Sequence, residues 1–66
     1  MTIGERIKQL RQGEGLTQEA LAKTLKISRS ALAHYETGSR DVPNYLVPQI
    51  AKFFDVTTDH LFGVEK

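Results

Sequence analysis

The sequence predicts an all-α fold, a compact five-helix domain formed by residues 1–66 as a single unit. Apolar residues recur at the i, i+3 and i+4 spacing of amphipathic helices, and no segment alternates apolar and polar residues as a half-buried strand would. A Ser, Thr or Asn stands immediately before each helical segment, where an N-cap side chain is expected. Together these patterns indicate short helices joined by short turns.

The first predicted helix runs from Ile3 to Glu14. Thr2 precedes it as an N-cap, and Glu5 stands three residues further on, which completes a capping box. One side of this helix carries Ile3, Ile7, Leu10 and Arg11. Gly13 and Gly15 then interrupt the helical pattern, so a turn is expected here.

The second predicted helix begins after Thr17, whose hydroxyl can accept from the free N–H groups of the first turn. Leu21 and Leu25 lie one turn apart on its inner face. Lys26 ends the helix without a glycine, so the turn that follows uses an ordinary residue, and Ile27 is its apolar anchor.

The third predicted helix has an apolar side and a polar side. Ser28 caps its start, and Gly38 ends it. The inner side carries Ile27, Ala31, Leu32 and Tyr35. The outer side carries Arg29, Ser30, Ala33, His34 and Thr37. A helix that enters the major groove of DNA needs such an outer face, since its side chains must reach base edges without a steric clash.

Two more helices are predicted after the loop that ends at Pro43. Asn44 is the expected N-cap of a helix over Tyr45–Phe54, and Pro48 falls in its first turn, where a missing N–H costs little. The expected core face is formed by Leu46, Ile50 and either Phe53 or Phe54. Thr57 is expected to cap a last helix over residues 58–62, which Gly63 ends.

Composition limits the class of protein. The chain has no cysteine, so it has no disulfide or thiolate metal site, and it has no apolar run near the ~18 residues that a membrane span needs. No signal-peptide pattern is present, so a cytoplasmic setting is expected. The net charge is only +1, and residues 16–44, with four basic and three acidic side chains, also carry +1. This balance permits binding to nucleic acid but does not by itself indicate it.

Catalysis and metal binding have little support. His34 and His60 lie on different predicted helices, and no cysteine or nearby acid completes a metal site. The serines lack a nucleophile-elbow pattern, and no glycine-rich phosphate loop is present. The sequence therefore predicts no enzyme, no cofactor and no small-molecule ligand.

Three short motifs carry a family resemblance: LTQEALA at residue 16, LKIS at residue 25 and YETG at residue 35. With them, the chain resembles the phage Cro/CI repressor-like (XRE) family of helix-turn-helix proteins over roughly residues 3–63, with the helix-turn-helix proper at about 17–37. The resemblance implies a sequence-specific regulator of transcription, a repressor that binds double-stranded DNA. It also implies a homodimer on a palindromic operator whose half-sites lie about 34 Å apart.

The resemblance assigns residues to contacts. The base-reading set is Arg29, Ser30, Ala33 and His34. The phosphate-binding set is Thr17, Gln18, Ser28, Thr37, Ser39, Arg40 and Asn44. Arg29 is alternatively a solvated surface charge, or a phosphate contact without sequence content. The resemblance further implies a partly buried ion pair between Arg11 and Glu36, which would tie the first helix to the third.

Two questions remain open in the sequence. Phe62 and Val64 are the candidates for a dimer interface, but apolar residues near the end of the chain could instead complete the core of one subunit. The alternative function is a protein-interaction module, antitoxin-like or an anti-repressor partner, that uses the same helical surface. The sequence also does not decide whether this chain is a fragment of a longer regulator.

Overall fold

The computed structural model describes residues 2–64 and confirms the all-α class. Within this range the chain forms α1 (Ile3–Gly13), α2 (Gln18–Leu25), α3 (Arg29–Thr37), α4 (Leu46–Phe54) and α5 (Thr58–Phe62). No helix in the described part of the chain is long and apolar enough to cross a membrane. Helix α3 packs against α1 and α2, while α4 packs against α5 and α2, and α5 also contacts α1.

Three of the junctions between helices use the same local design. Each has one residue with positive φ, and these residues are Gly15 (69°), Lys26 (60°) and Asp55 (56°). The N–H of the next residue reaches back to a helix carbonyl five positions earlier, as in Ile27 to Ala22 and Val56 to Ala51, both at 2.9 Å. The left-handed residue therefore ends one helix and turns the chain toward the next.

The residues after each left-handed position also repeat. A half-buried apolar residue comes next, then a Ser or Thr N-cap, and four residues after the cap a leucine that is fully buried. The three apolar residues are Leu16, Ile27 and Val56, the caps are Thr17, Ser28 and Thr57, and the leucines are Leu21, Leu32 and Leu61. This is the spacing of a hydrophobic staple, which sets the angle at which the chain enters a helix.

The predicted start of the fourth helix is wrong. The helix begins at Leu46, its N-cap is Tyr45 rather than Asn44, and no side chain caps it. The reason is a turn in front of the helix, in which the Leu46 N–H donates to the Pro43 carbonyl at 3.0 Å. Pro48 does lie in the first turn, as predicted. The first helix ends at Gly13, and Glu14 is its C-cap.

The core is built from the inner faces of all five helices found in residues 2–64. Its fully buried members are Ile7, Leu21, Leu32, Leu46, Ile50 and Leu61. Of the two adjacent phenylalanines, Phe54 is the core residue, with 8% of its surface exposed, whereas Phe53 is 42% exposed.

Gly4 sets the distance between α1 and α3. A Cβ atom built at this position would lie 1.9 Å from the carbonyl oxygen of Tyr35, which is far inside van der Waals contact. Only glycine therefore allows the two helices to approach so closely. Nothing in the helical pattern of the sequence distinguishes this glycine, because the contact depends on how the helices pack.

Candidate nucleic-acid interface

The outer face of α3 is polar and accessible. Arg29, Ser30, His34 and Thr37 are exposed, and Ala33 is half-buried between them. The opposite face carries Leu32 and Tyr35 into the core, so the helix is held on one side and free on the other. Two groups of hydrogen bonds organise this exposed face, one at each end.

A buried ion pair lies beneath the face. Arg11 Nε donates to Glu36 Oε2 at 2.7 Å, and Arg11 Nη2 donates to Glu36 Oε1 at 3.1 Å. The third guanidinium nitrogen, Nη1, donates to the Leu16 carbonyl at 2.7 Å. Only 10% of the Arg11 side chain and 2% of the Glu36 side chain are exposed. The pair thus joins α1, the junction before α2 and the end of α3.

Gln18 connects this ion pair to the surface. Its Nε2 donates to Glu36 Oε1 at 3.0 Å, and its Oε1 accepts from Arg29 Nη1 at 3.5 Å. The side chain of Arg29 is exposed and stands near the start of α2, and its 3.5 Å contact with Gln18 is at the outer limit of a hydrogen bond.

A second group of contacts surrounds His34. Ser39 Oγ lies 2.8 Å from His34 Nδ1 and 3.0 Å from Thr37 Oγ1. The Thr37 hydroxyl donates to the His34 carbonyl at 3.2 Å, and the Arg40 N–H reaches the same carbonyl at 3.3 Å. The loop after α3 thus folds back onto the exposed histidine. The sequence placed Ser39 and Thr37 near phosphate and gave no sign of this cluster, because it depends on the turn at Gly38.

The two capping hydroxyls keep a free proton. Thr17 Oγ1 accepts from the Ala20 N–H at 3.1 Å, and Ser28 Oγ accepts from the Ala31 N–H at 3.0 Å. Because a hydroxyl can accept and donate at the same time, each remains able to donate to an external oxygen. Both N-caps stand at helix starts, where an anion is favoured.

The remaining predicted site residues lie further out. Arg40 and Asn44 are exposed in the loop between α3 and α4. Phe62 (53% exposed) and Val64 (63% exposed) stand at the end of α5 and just after it. No group of three metal-binding side chains occurs among residues 2–64.

Two short helices joined by a tight turn, with a polar outer face on the second, define a helix-turn-helix domain. The chain belongs to this family: the family described as "Helix-turn-helix domain" matches residues 4–65, and the Cro/CI-like resemblance is confirmed. No particular function of the whole protein follows from membership alone.

Curated relatives are named as regulators of transcription. The chain is 43% identical to HTH-type transcriptional activator BcrR of Enterococcus faecalis, over 100% of this chain and 32% of that protein. It is 33% identical to HTH-type transcriptional regulator ImmR of Bacillus subtilis, over 100% of this chain and 52% of that protein. It therefore spans only about a third to a half of these two relatives. With MJ0272, an uncharacterized HTH-type transcriptional regulator of Methanocaldococcus jannaschii, it shares 40% identity over 91% of each chain.

Solved structures have the same fold. The P22 c2 repressor protein, in a complex with a synthetic operator, superposes with a TM-score of 0.88 over 98% of both chains at 23% identity. The restriction-modification controller protein C.AhdI from Aeromonas hydrophila superposes with a TM-score of 0.81 over 91% of both chains at 33% identity.

Proposed function

We propose that this chain is a single helix-turn-helix domain that binds double-stranded DNA in a sequence-specific manner and regulates transcription, as a repressor that blocks a promoter. The observation that carries this proposal is the polar outer face of α3, braced from below by the buried pair of Arg11 and Glu36. A rigidly held helix with short polar side chains suits the major groove, where base edges differ in their pattern of donors and acceptors.

Base contacts are assigned to the first and second turns of α3. Arg29 can donate two hydrogen bonds to guanine, and Ser30 can bond either a base or a phosphate. Ala33 is small enough to contact the methyl group of thymine, and His34 follows one turn after Ser30. The contact between Gln18 and Arg29 places the guanidinium beside the start of α2, at the exposed face that would enter the groove.

Phosphate contacts are assigned to the ends of the motif. Thr17 and Ser28 retain hydroxyl protons that can be donated, and Gln18 stands in the first turn of α2. Arg40 and Asn44 would approach the backbone from the loop after α3. The hydroxyls of Thr37 and Ser39 belong to the same proposed set, although their short contacts are within the chain.

The charges around this surface support the proposal. Lys23, Lys26, Arg29 and Arg40 are exposed, and so are Glu19 and Asp41. Glu36 is buried against Arg11 and does not oppose phosphate directly. The exposed residues 16–44 therefore have four basic and two acidic side chains, an excess of two positive charges.

A homodimer on a palindromic site is part of the proposal. One recognition helix reads only about half of a site that is long enough to be specific, and a two-fold dimer places its helices one turn of DNA apart. Phe62 and Val64 are exposed apolar side chains near the end of the sequence, and we propose that they form the dimer interface. Phe62→Glu should reduce self-association in sedimentation, whereas Lys52→Glu, on the exposed part of α4, should leave it unchanged.

Selection of binding sites from random duplex DNA tests the function. An enriched palindrome would support the proposal, and its half-site spacing would reveal the dimer geometry. Absence of any enriched sequence, with the protein shown by circular dichroism to be folded, would count against DNA recognition by this chain.

Two variants separate the proposed roles. Arg29→Ala should weaken binding to the selected site by about 1–3 kcal/mol and relax the preference at one position, if Arg29 reads a base. An equal loss on every sequence would make Arg29 a phosphate contact. Arg40→Ala should weaken binding to all sequences and reduce the dependence on salt, and an unchanged salt slope would remove it from the interface.

A second candidate function is interaction with a protein partner through the same surface. The observation in its favour is a relative named Antitoxin PezA, from Streptococcus pneumoniae, which is 38% identical over 97% of this chain and 40% of that protein. Salt dependence discriminates the two functions, because DNA binding weakens steeply as salt rises and an apolar protein interface does not.

A further inference from the structure

We propose that Ser39 and Thr37 hold neutral His34 in the tautomer with its proton on Nδ1, so that Nε2 accepts a hydrogen bond from an exocyclic amine of adenine or cytosine. The proposed contact between His34 and a DNA base rests on the proposed DNA-binding function. The tautomer itself is a property of the free protein, and it can be measured without DNA.

The carbonyl oxygen of His34 has two lone pairs and can accept two hydrogen bonds. Its usual partner in the helix would be the N–H of Gly38, but that N–H donates instead to Tyr35, at 3.2 Å. The carbonyl accepts from the Thr37 hydroxyl at 3.2 Å and from the Arg40 N–H at 3.3 Å. These two donors use both lone pairs, and the contact from Ser39 at 3.4 Å is the longest of the three.

Counting protons then assigns the Ser39 hydroxyl. Thr37 and Ser39 carry one hydroxyl proton each. With the Thr37 proton on the His34 carbonyl, Ser39 donates to Thr37 Oγ1 across 3.0 Å and accepts from His34 Nδ1 across 2.8 Å. With the Thr37 proton on Ser39 instead, Ser39 can donate to the carbonyl at 3.4 Å and again accepts from Nδ1.

The opposite tautomer makes fewer bonds. If Ser39 donated to Nδ1, then Thr37 could satisfy either Ser39 or the carbonyl, but not both. One of the three shortest contacts would be lost. The arrangement of the loop after Gly38 thus favours the Nδ1–H form by one hydrogen bond.

The chemical consequence falls on the other ring nitrogen. In neutral histidine with hydrogen on Nδ1, Nε2 is an acceptor. In the major groove, the donors available to an acceptor are the N6 amine of adenine and the N4 amine of cytosine. Guanine offers only acceptors there, and so does thymine apart from its methyl group. Ser39 and Thr37, whose hydroxyl protons are then used within the chain, would act as positioning residues for His34 instead of as phosphate contacts.

Nuclear magnetic resonance of the imidazole nitrogens in the full chain tests the tautomer. The titration of the same resonances identifies the pH range in which the ring is neutral, and the spectra are compared there. We expect the Nδ1–H form to dominate in the wild type. Ser39→Ala should shift the ring toward the Nε2–H form, whereas Ser39→Thr, which keeps the hydroxyl, should retain the wild-type pattern.

Ser30→Ala is the matched control, because it removes an exposed hydroxyl from the same face of α3 without touching the cluster. It should leave the tautomer unchanged. A wild-type ring in the Nε2–H form, or no change of tautomer in Ser39→Ala, would overturn the proposal whether or not the protein binds DNA.

Base analogues in the selected DNA site test the contact. The base pair at the position whose preference His34→Ala relaxes contains one adenine or cytosine, and the exocyclic amine of that base is the expected partner of Nε2. Replacing that base by purine or by pyrimidin-2-one, which lack the amine, should weaken wild-type binding about five- to tenfold and should not affect His34→Ala. An equal loss in both proteins, or no loss in the wild type, would overturn the base assignment. Failure to bind any duplex would instead contradict the proposed function, and the tautomer measurement would still stand.

Discussion

Removing one partner of the buried ion pair should nearly unfold this protein. Arg11→Met keeps much of the apolar stem but deletes the guanidinium, which makes two bonds to Glu36 and one to the Leu16 carbonyl. The Glu36 carboxylate would then keep only the hydrogen bond from Gln18. The Glu36 side chain is only 2% exposed, so water could not replace the lost guanidinium. One-sided removal of a buried pair costs about 3–5 kcal/mol.

The size of the domain makes this loss severe. A chain of 66 residues has a total stability of roughly 3–10 kcal/mol, at about 0.05–0.15 kcal/mol per residue. The variant should therefore unfold at a much lower urea concentration than the wild type, or be partly unfolded in water. Lys8→Met is the control on the exposed side of the same helix, and its effect should stay within about 0.5 kcal/mol.

A double-mutant cycle separates the pair from other effects. Glu36→Gln should also destabilise, because it leaves the guanidinium of Arg11 buried without its counter-charge. The double variant should cost less than the sum of the two single variants, by about 0.5–3 kcal/mol, as expected for residues in contact. Urea unfolding followed by circular dichroism provides the four free energies. Strict additivity, or a loss below about 1 kcal/mol for Arg11→Met, would show that the ion pair does not stabilise the fold.

Three further predictions concern backbone and capping. Gly4→Ala should lower the free energy of unfolding by about 1–3 kcal/mol or more, because the added Cβ would collide with the Tyr35 carbonyl. Gly13→Ala is the control: it has open space around it and should raise the melting temperature. Lys26→Gly should stabilise by about 0.5–1 kcal/mol, because φ is 60° there, and Lys26→Ala, which retains the strain, should not. The backbone N–H and the hydroxyl of Thr2, which caps α1, hold the pKa of Glu5 below its ordinary value of 4.5. Ionised Glu5 thus contributes stability above that pH, which is lost as the pH falls through the lowered pKa. The difference in unfolding free energy between wild type and Glu5→Gln should shrink in acid, and a constant difference from pH 6 to pH 3 would contradict the capping box.

Short-range signals accounted for most of the fold. Thr17, Ser28 and Thr57 were predicted as N-caps and occupy those positions, each accepting from a backbone N–H three residues later. N-caps can be predicted from the sequence because they depend on residues within one turn of each other. Asn44 had the right residue type for a cap and was wrong, because the turn closed by Pro43 carries the chain past it before the helix begins.

Contacts between different helices were harder to predict from the sequence. The sequence left Phe53 and Phe54 as equivalent candidates for the core, and the helix rotation that buries Phe54 depends on the packing of α4 against α2 and α5. The pairing of Arg11 with Glu36 came from the family resemblance, since the two residues are 25 positions apart and no local pattern links them.

The class of the fold, the positions of the helices to within a residue or two and the polar outer face of α3 could be predicted from the sequence. Periodicity and capping decide these features, and both act within a few residues along the chain. The requirement for glycine at Gly4 and the return of the loop after α3 to His34 became visible only in the folded structure. Those two features depend on distances between segments that packing brings together, and no local sequence pattern encodes such distances.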